Sequence, residues 1–396
     1  MADSMSQGTW SVDLCHNWRR IATVTGSAYE FRAVHRWLEQ GEWELTCPAS
    51  AVEWGSIYDE RRDELVDPTP EDVNTVRLVN DGSIAFAGYV AALSEGSGGL
   101  EVVTTGDGQR YTWSGPDLWH LLAGYIAFPD PSTYQPWAVS HDVRTGRAST
   151  VIAGYLNANL GSSALPERQA PGFTVVDQGA GPSDEWSARL APLSHVVARI
   201  CEQAEIGCWL SIDFDGHVTA TIGAPRNLSE RIVVSDQGDL STVRVRHVPA
   251  TATWVLAGGQ GEGASRVFRE ASTPEATGQA RREMFIDYST LSSASELQRA
   301  ANVQLRLGAE SWSIYGEVTD ELAATLRYGR DFRVGDLIGV EVDGRRHTVP
   351  VTSVTFEISA SRQVVRPSLG TAAPNELVGL TRDVAGLADR FRTDIA

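Results

Sequence analysis

The sequence predicts a mainly β protein with an α+β insert and a C-terminal helix, and three observations lead there. Short alternating runs bounded by Gly, Asn, Asp and Pro fill both ends of the chain. Helical apolar periodicity is confined largely to the middle and to the extreme C-terminus. The run Tyr328-Gly-Arg-Asp-Phe-Arg-Val-Gly-Asp-Leu-Ile-Gly-Val-Glu-Val342 has the form of a loop entering a hairpin. Within it Gly335 and Asp336 make a tight corner, Leu337 to Val342 a strand, Asp343-Gly344 a two-residue turn, and His347 to Phe356 the return. Asp and Gly both tolerate the positive φ such a turn needs.

The N-terminal block, residues 1–130, opens with strands at Trp10–Leu14 and Arg20–Thr25. Tyr29, Phe31 and Val34 continue in extended fashion, and Gly41–Cys47 forms another strand that Pro48 ends. Residues 51–74 are charged and Pro-bearing and read as a short helix and loop. Hairpins follow at Val76–Leu93, turning at Asp81-Gly82, and at Leu100–Trp113, turning at Gly106–Gly108. Gly115–Leu122 reads as a helix start. Short strands at this spacing suit a barrel or sandwich.

Residues 131–240 differ in kind. Gly146–Leu160 reads as a helix. Arg189–Glu205 is the clearest amphipathic one, with Leu190, Leu193, Val196, Val197 and Ile200 in period, and His195 reads as a packed or boundary residue. Strands at Cys208–Ile212 and His217–Ile222 flank the turn Asp215-Gly216. A second β-rich block, residues 241–372, holds strands at Thr242–Leu256, 311–318 and 332–358 and a helix at Ser293–Leu307. The hairpin around Asp81-Gly82 faintly echoes the one around Asp343-Gly344, as a duplication would. In the last segment, 373–396, Leu377, Leu380, Val384, Leu387 and Phe391 are spaced 3, 4, 3, 4. That is a two-heptad seam that needs a partner surface, because so short a helix is marginal alone.

The chain has 396 residues and a net charge of −18, from 33 basic and 51 acidic side chains. It contains no lysine, a bias that a GC-rich genome explains. So acidic a chain is poorly suited to gripping phosphate backbones, yet an acidic wall lets DNA slide past. The N-terminus lacks the cationic start and apolar stretch of a secretion signal. No apolar run reaches the ~20 residues of a membrane helix, so no membrane anchoring is expected from this chain.

Candidate chemistry is sparse. Gly259-Gln-Gly-Glu-Gly263-Ala264 follows a strand as a dinucleotide fingerprint would, but neither a helix nor a βαβ unit is legible after it, and it reads as a loop. Asp213-Phe-Asp215-Gly216 begins like a calcium loop, yet Ala224 stands where the twelfth-position glutamate belongs. Cys15, Cys47, Cys201 and Cys208 have no metal-ligand spacing, and His16 should face away from Cys15 on a strand. No zinc-binding HExxH or serine elbow is present. Trp10, Trp43, Trp113 and Trp119 sit in strand or helix patterns and read as core or interface. The expectation is no catalytic residue, cofactor or metal.

Several stretches in order resemble a family of siphophage tail-hub proteins common in phages of actinobacteria. They are Trp18-Arg19-Arg20 with Gly41-x-Trp43-x-Leu45, Phe86-x-Gly88-x-Val90, Gly115-Pro-Asp117 with Leu121-Leu122 through Pro129, Gly146–Asn159 with Arg168, and Tyr328–Val342 with Pro367-x-Leu369-Gly370. That family is similar to the baseplate hub of contractile-tailed phages. The resemblance implies two tail-tube-like β-barrel domains with smaller accessory domains. It also implies a homotrimer forming a pseudo-six-fold ring at the virion's tail tip, and DNA passing through without specific binding. Its implied partners are a distal tail protein ring, a central fibre or tip protein and the tape-measure protein. The competing readings are a tail-associated cell-wall hydrolase and a glycan-binding adhesion module.

Overall fold

The computed structural model describes residues 9–25, 28–59, 64–91, 98–288 and 294–370. The seam residues Leu377, Leu380, Val384, Leu387 and Phe391, and the 373–396 helix with them, lie outside the described residues, as does Leu93. The fold is mostly β, in several sheets with few helices. The chain forms two compact units, one of residues 1–242 with 316–369 and the other of 243–315 with 370–396.

In the first unit a five-stranded sheet runs in the order Val52–Trp54, Arg19–Val24, Trp10–His16, Thr75–Asn80, Ser83–Tyr89. The hairpin between its last two strands turns at Asp81 and Gly82, with φ of 48° and 75°. The larger sheet joins the two ends of the sequence. Gly99–Thr105, Gly108–Pro116, Glu42–Pro48 and Glu30–Arg36 lie in order, and Glu30–Arg36 then pairs antiparallel with Arg345–Ser359, from Glu30 opposite Ser359 to Arg36 opposite Ser353. Gln363–Leu369 pairs on the other side of Arg345–Ser359, which also forms the hairpin with Leu337–Val342. Burial alternates along these strands, so Phe31, Ala33, Trp43, Leu45, Val354, Phe356 and Ile358 fill one interior. Trp10, Trp43, Trp113 and Trp119 are all buried.

The α+β middle contains the helices Ala148–Asn159 and Leu193–Ala204. With them go a two-stranded ribbon (Asp142–Arg147 with Ser183–Ala188) and a three-stranded sheet (Thr174–Asp177, Val218–Gly223, Gly207–Ile212). Several sequence readings need correction here. Among the described residues of 51–74 there is no α-helix but single 3-10 turns at Ala49–Ala51 and Pro70–Asp72 between short strands, because Val52 is drawn into pairing with Val24. The first insert helix starts at Ala148, since Asp142–Arg147 is pulled into the ribbon. The second starts at Leu193: Pro192 supplies the break, and Leu190 sits outside at φ 53°, exposed. His195 is exposed, lying about 150° round the helix from the centre of the buried stripe of Leu193, Val196, Val197 and Ile200. Gly115–Leu122 continues a strand through Pro116 before a single helical turn at His120–Ala123.

The second unit, taken by itself, holds a three-stranded sheet in the order Phe268–Ser272, Trp254–Gly258, Glu283–Asp287, and the helix Ala294–Leu307. Val255, Ala257, Ala271, Leu297 and Ala301 form its core.

Candidate functional site: the junction around Asp336

The corner Gly335-Asp336 and the hairpin it opens are where the first unit is tied together. Gly335 has φ 88°, and a Cβ there would lie 2.2 Å from the Trp37 ring, so only glycine fits under that indole. Asp336 is fully buried, and its carboxylate binds the Arg226 guanidinium through two bonds, Nε at 3.0 Å and Nη2 at 2.5 Å. It also accepts the Arg333 amide at 2.8 Å, closing the corner. Arg226 follows the strand Val218–Gly223, so this pair fastens the insert's three-stranded sheet to the C-terminal hairpin. Two-point geometry between a planar guanidinium and a carboxylate fixes direction as well as distance. At the far end of the hairpin Asp343 and Gly344 turn the chain at φ 49° and 70°, matching the Asp81-Gly82 turn closely. Both turns have positive φ at both central positions, as the twist of an antiparallel ribbon favours.

Beside this corner lies a cavity of about 220 Å³ lined by His35, Trp37, Asp117, Trp209, Tyr328 and Arg333 among others. The Arg333 guanidinium stacks 4.0 Å from the Trp209 ring, and the Trp209 indole N–H donates to Val334 O at 2.8 Å. Nδ1 of His35 is 3.0 Å from the Tyr328 hydroxyl, with the imidazole edge-on to Phe86. Burial drives the His35 imidazole down to about 4 and the Asp117 carboxyl up to about 7. Asp117 accepts the Trp119 amide at 3.0 Å, and its backbone N–H donates to Gly41 O at 3.1 Å. A Cβ on Gly41 would meet both Val34 O and the Asp117 carboxylate. These groups hold strand ends and loops together. Asp117 and Asp336 face backbone amides and arginines, and neither is paired with a nucleophile.

A second fastening joins the insert to the five-stranded sheet. Asp13 and Arg77 are directly opposite in register, both buried, with Arg77 Nη2 3.5 Å from Asp13 Oδ2. Arg77 Nη1 donates to Phe214 O at 2.9 Å, and the guanidinium lies 5.0 Å from that ring. Phe214 sits in the turn Asp213–Gly216. The Asp213 carboxylate accepts the amides of Asp215 and His217 at 3.0 and 2.8 Å, and also faces the His217 ring at 3.1 Å. The segment is therefore a hairpin tip docked by Arg77. Sequence spacing had no access to this contact, which joins residues 137 positions apart. Asn159 and Arg168, nine positions apart, do meet: the Asn159 carbonyl oxygen accepts both Arg168 Nη1 at 3.2 Å and the Phe128 amide at 2.9 Å. Among the cysteines, Cys15, Cys47, Cys201 and Cys208 are all buried free thiols, and His16 faces solvent.

Comparison with known proteins places this architecture. The model of the family described as Siphovirus ReqiPepy6 Gp37-like protein matches residues 14–371. The chain belongs to that family. The match covers every segment of the first unit described above except the first residues of its opening strand. No curated protein matches the sequence. Among solved structures, the fold is similar to the 43 kDa tail protein of prophage MuSo2 from Shewanella oneidensis, with TM-score 0.54, 13% identity, and coverage of 91% of this chain and 97% of that one. It is similar to a tail protein from Neisseria meningitidis MC58, with TM-score 0.52, 13% identity and coverage of 91% and 96%. It also resembles prophage tail protein gp18 from Listeria monocytogenes EGD-e, with TM-score 0.50, 8% identity and coverage of 92% and 100%.

Proposed function

We propose that this chain is the tail-tip hub of a long-tailed phage. Three copies form a pseudo-six-fold ring that closes the tail tube and lets DNA pass. The observation that carries the reading is the internal echo. Each chain presents two antiparallel hairpins with near-identical positive-φ Asp-Gly turns, one from each end of the sequence, and the return strand of the C-terminal hairpin pairs with Glu30–Arg36 of the N-terminal block. Three chains with two such walls each supply six quasi-equivalent positions around an axis. The blocks 1–130 and 241–372 are the two tube-like walls, and 131–240 is an accessory domain clamped by Arg77 and Arg226. With a net charge of −18, such a wall repels phosphate and favours sliding.

In this assembly a distal tail ring lies above and a central fibre or tip protein below, with the tape-measure protein reaching the lumen. The role is mechanical: the buried acids serve the frame, and no catalysis is assigned to them. The seam Leu377, Leu380, Val384, Leu387 and Phe391 docks on an apolar surface of the assembled hub. Light scattering or mass photometry of the purified chain, alone and with a distal tail protein, followed by negative-stain imaging, tests this reading. The expected result is three-fold mass and an annulus. A monomer that forms no ring with any tail partner and clears cell-wall suspensions would instead establish the hydrolase.

A further inference from the structure

Among the described residues, the sheet of the second unit is covered on one face only. Pairing puts Val255, Ala257, Ala271, Met284 and Ile286 on the side of the Ala294–Leu307 helix. The opposite side presents Trp254, Leu256, Phe268 and Phe285, because Leu256 lies opposite Phe285 and Gly258 opposite Phe268. Phe268 is 41% and Phe285 54% exposed. The Arg266 guanidinium lies 5.7 Å from both rings, over Gly258, where a Cβ would come within 2.9 Å of it. It is held there by Gly258 O, Gly259 O and Asp287 Oδ1. The Gly-rich run after this strand thus serves to bring Arg266 back across the sheet, and the chain returns as an antiparallel strand, not a helix. Arg281 likewise lies 4.6 Å from the Trp254 ring and pairs with Glu283. Asp287 and Glu283 match the two cations of the face, and Glu270, opposite Leu256, adds one further acid to an otherwise aromatic and apolar platform. A sheet with one bare apolar face is half of a layered structure.

We infer that this face is the docking site for the chain's own C-terminal seam. Gly370, the last described residue, belongs to the same unit and abuts Ile314 O. Residues 371–376 can bridge up to about 20 Å before Leu377. As a helix, Leu377 to Phe391 spans about 21 Å. The face is about 17 Å along its five-residue strands and about 10 Å across three of them. An amphipathic helix of one stripe laid there completes a helix–sheet–helix sandwich, with Leu380, Val384 and Leu387 over Leu256, Phe268 and Phe285. The inference concerns a single chain and does not rest on the trimeric ring, whose failure would appear in the particle mass and not in the measurements below.

The test uses the full-length protein carrying Phe285→Cys with Val384→Cys, and separately Phe268→Cys with Val384→Cys, treated with a short bismaleimide. The four native cysteines are buried and serve as unreactive background. The expected result is a crosslink within one chain, running as a faster monomer band and absent from each single variant. Leu380→Glu with Leu387→Glu should also speed amide exchange in Trp254–Gly258 and Glu283–Asp287 about tenfold, leaving Leu337–Val342 unchanged. Absence of the intrachain crosslink from both pairs, crosslinks only between chains, or unaltered exchange in the three strands would each overturn the inference.

Discussion

Removing the Asp336 carboxylate should loosen the whole first unit, and the structure sets the size of the effect. Asp336→Ala deletes the two-point contact with Arg226 and the cap on the Arg333 amide. Charge-assisted bonds contribute roughly 1.5–3 kcal/mol each, but their sum overstates the cost. The Arg226 side chain is 39% exposed and regains water once released. Arg333 keeps its stack on Trp209, while its Nε, which has no hydrogen-bond partner even in the native protein, loses its nearest carboxylate. The net expectation is about 3 kcal/mol, the lower end for breaking a buried pair. Urea unfolding followed by tryptophan fluorescence should show the midpoint falling by about 1 M, for a slope near 3 kcal/mol/M. The double variant Asp336→Ala with Arg226→Ala should cost little more than Asp336→Ala alone, since the partners act as one unit. If Asp336→Ala loses under ~0.5 kcal/mol, or the two single effects simply add, the fastening does not exist in solution and the reasoning fails.

Other outcomes follow from the same geometry. Gly335→Ala combines a positive-φ penalty with a Cβ 2.2 Å from Trp37, and should cost about 3 kcal/mol in the same assay, whereas Gly344→Ala, with open space around it, should cost only about 1. Arg77→Ala leaves the buried Asp13 with only the Thr23 hydroxyl at 3.4 Å and the exposed Arg20 at 4.0 Å, and should cost about 3 kcal/mol and raise amide exchange around Phe214. The acid response should divide between two cavity groups of opposite sign. His35 has a folded value below its free one, so its contribution is present above pH 6.5 and disappears as pH falls through about 4. Asp117 has a raised one, so its contribution is full below pH 3.8 and disappears as pH rises through about 7. Asp117→Asn should therefore make stability fall by ~1–3 kcal/mol between pH 7 and 4, and His35→Phe should make it rise over that range. Urea midpoints at pH 4.5, 5.5 and 7 read both, and slopes of the same sign in the two variants would refute the assignment.

Local chemistry was legible in the sequence wherever a few neighbouring residues decide the outcome. Asp81-Gly82 and Asp343-Gly344 are turns because Asp and Gly accept positive φ. Leu193, Val196, Val197 and Ile200 make a helix because their spacing matches its pitch. The Gly259–Ala264 run is a loop because no helical pattern follows it. Those facts fix a mainly β chain with an α+β middle, and the family match over residues 14–371 agrees with the resemblance carried by the same short motifs. Tertiary structure alone decided what these pieces hold. That Glu30–Arg36 borders Arg345–Ser359, that Asp336 waits for an arginine 110 positions earlier, and that Arg77 receives the insert's tip all depend on contacts between distant segments. No local pattern encodes such meetings, because a strand's alternation states which face is buried and not which strand lies beside it, and a buried carboxylate is recognised only once its cation has been brought to it.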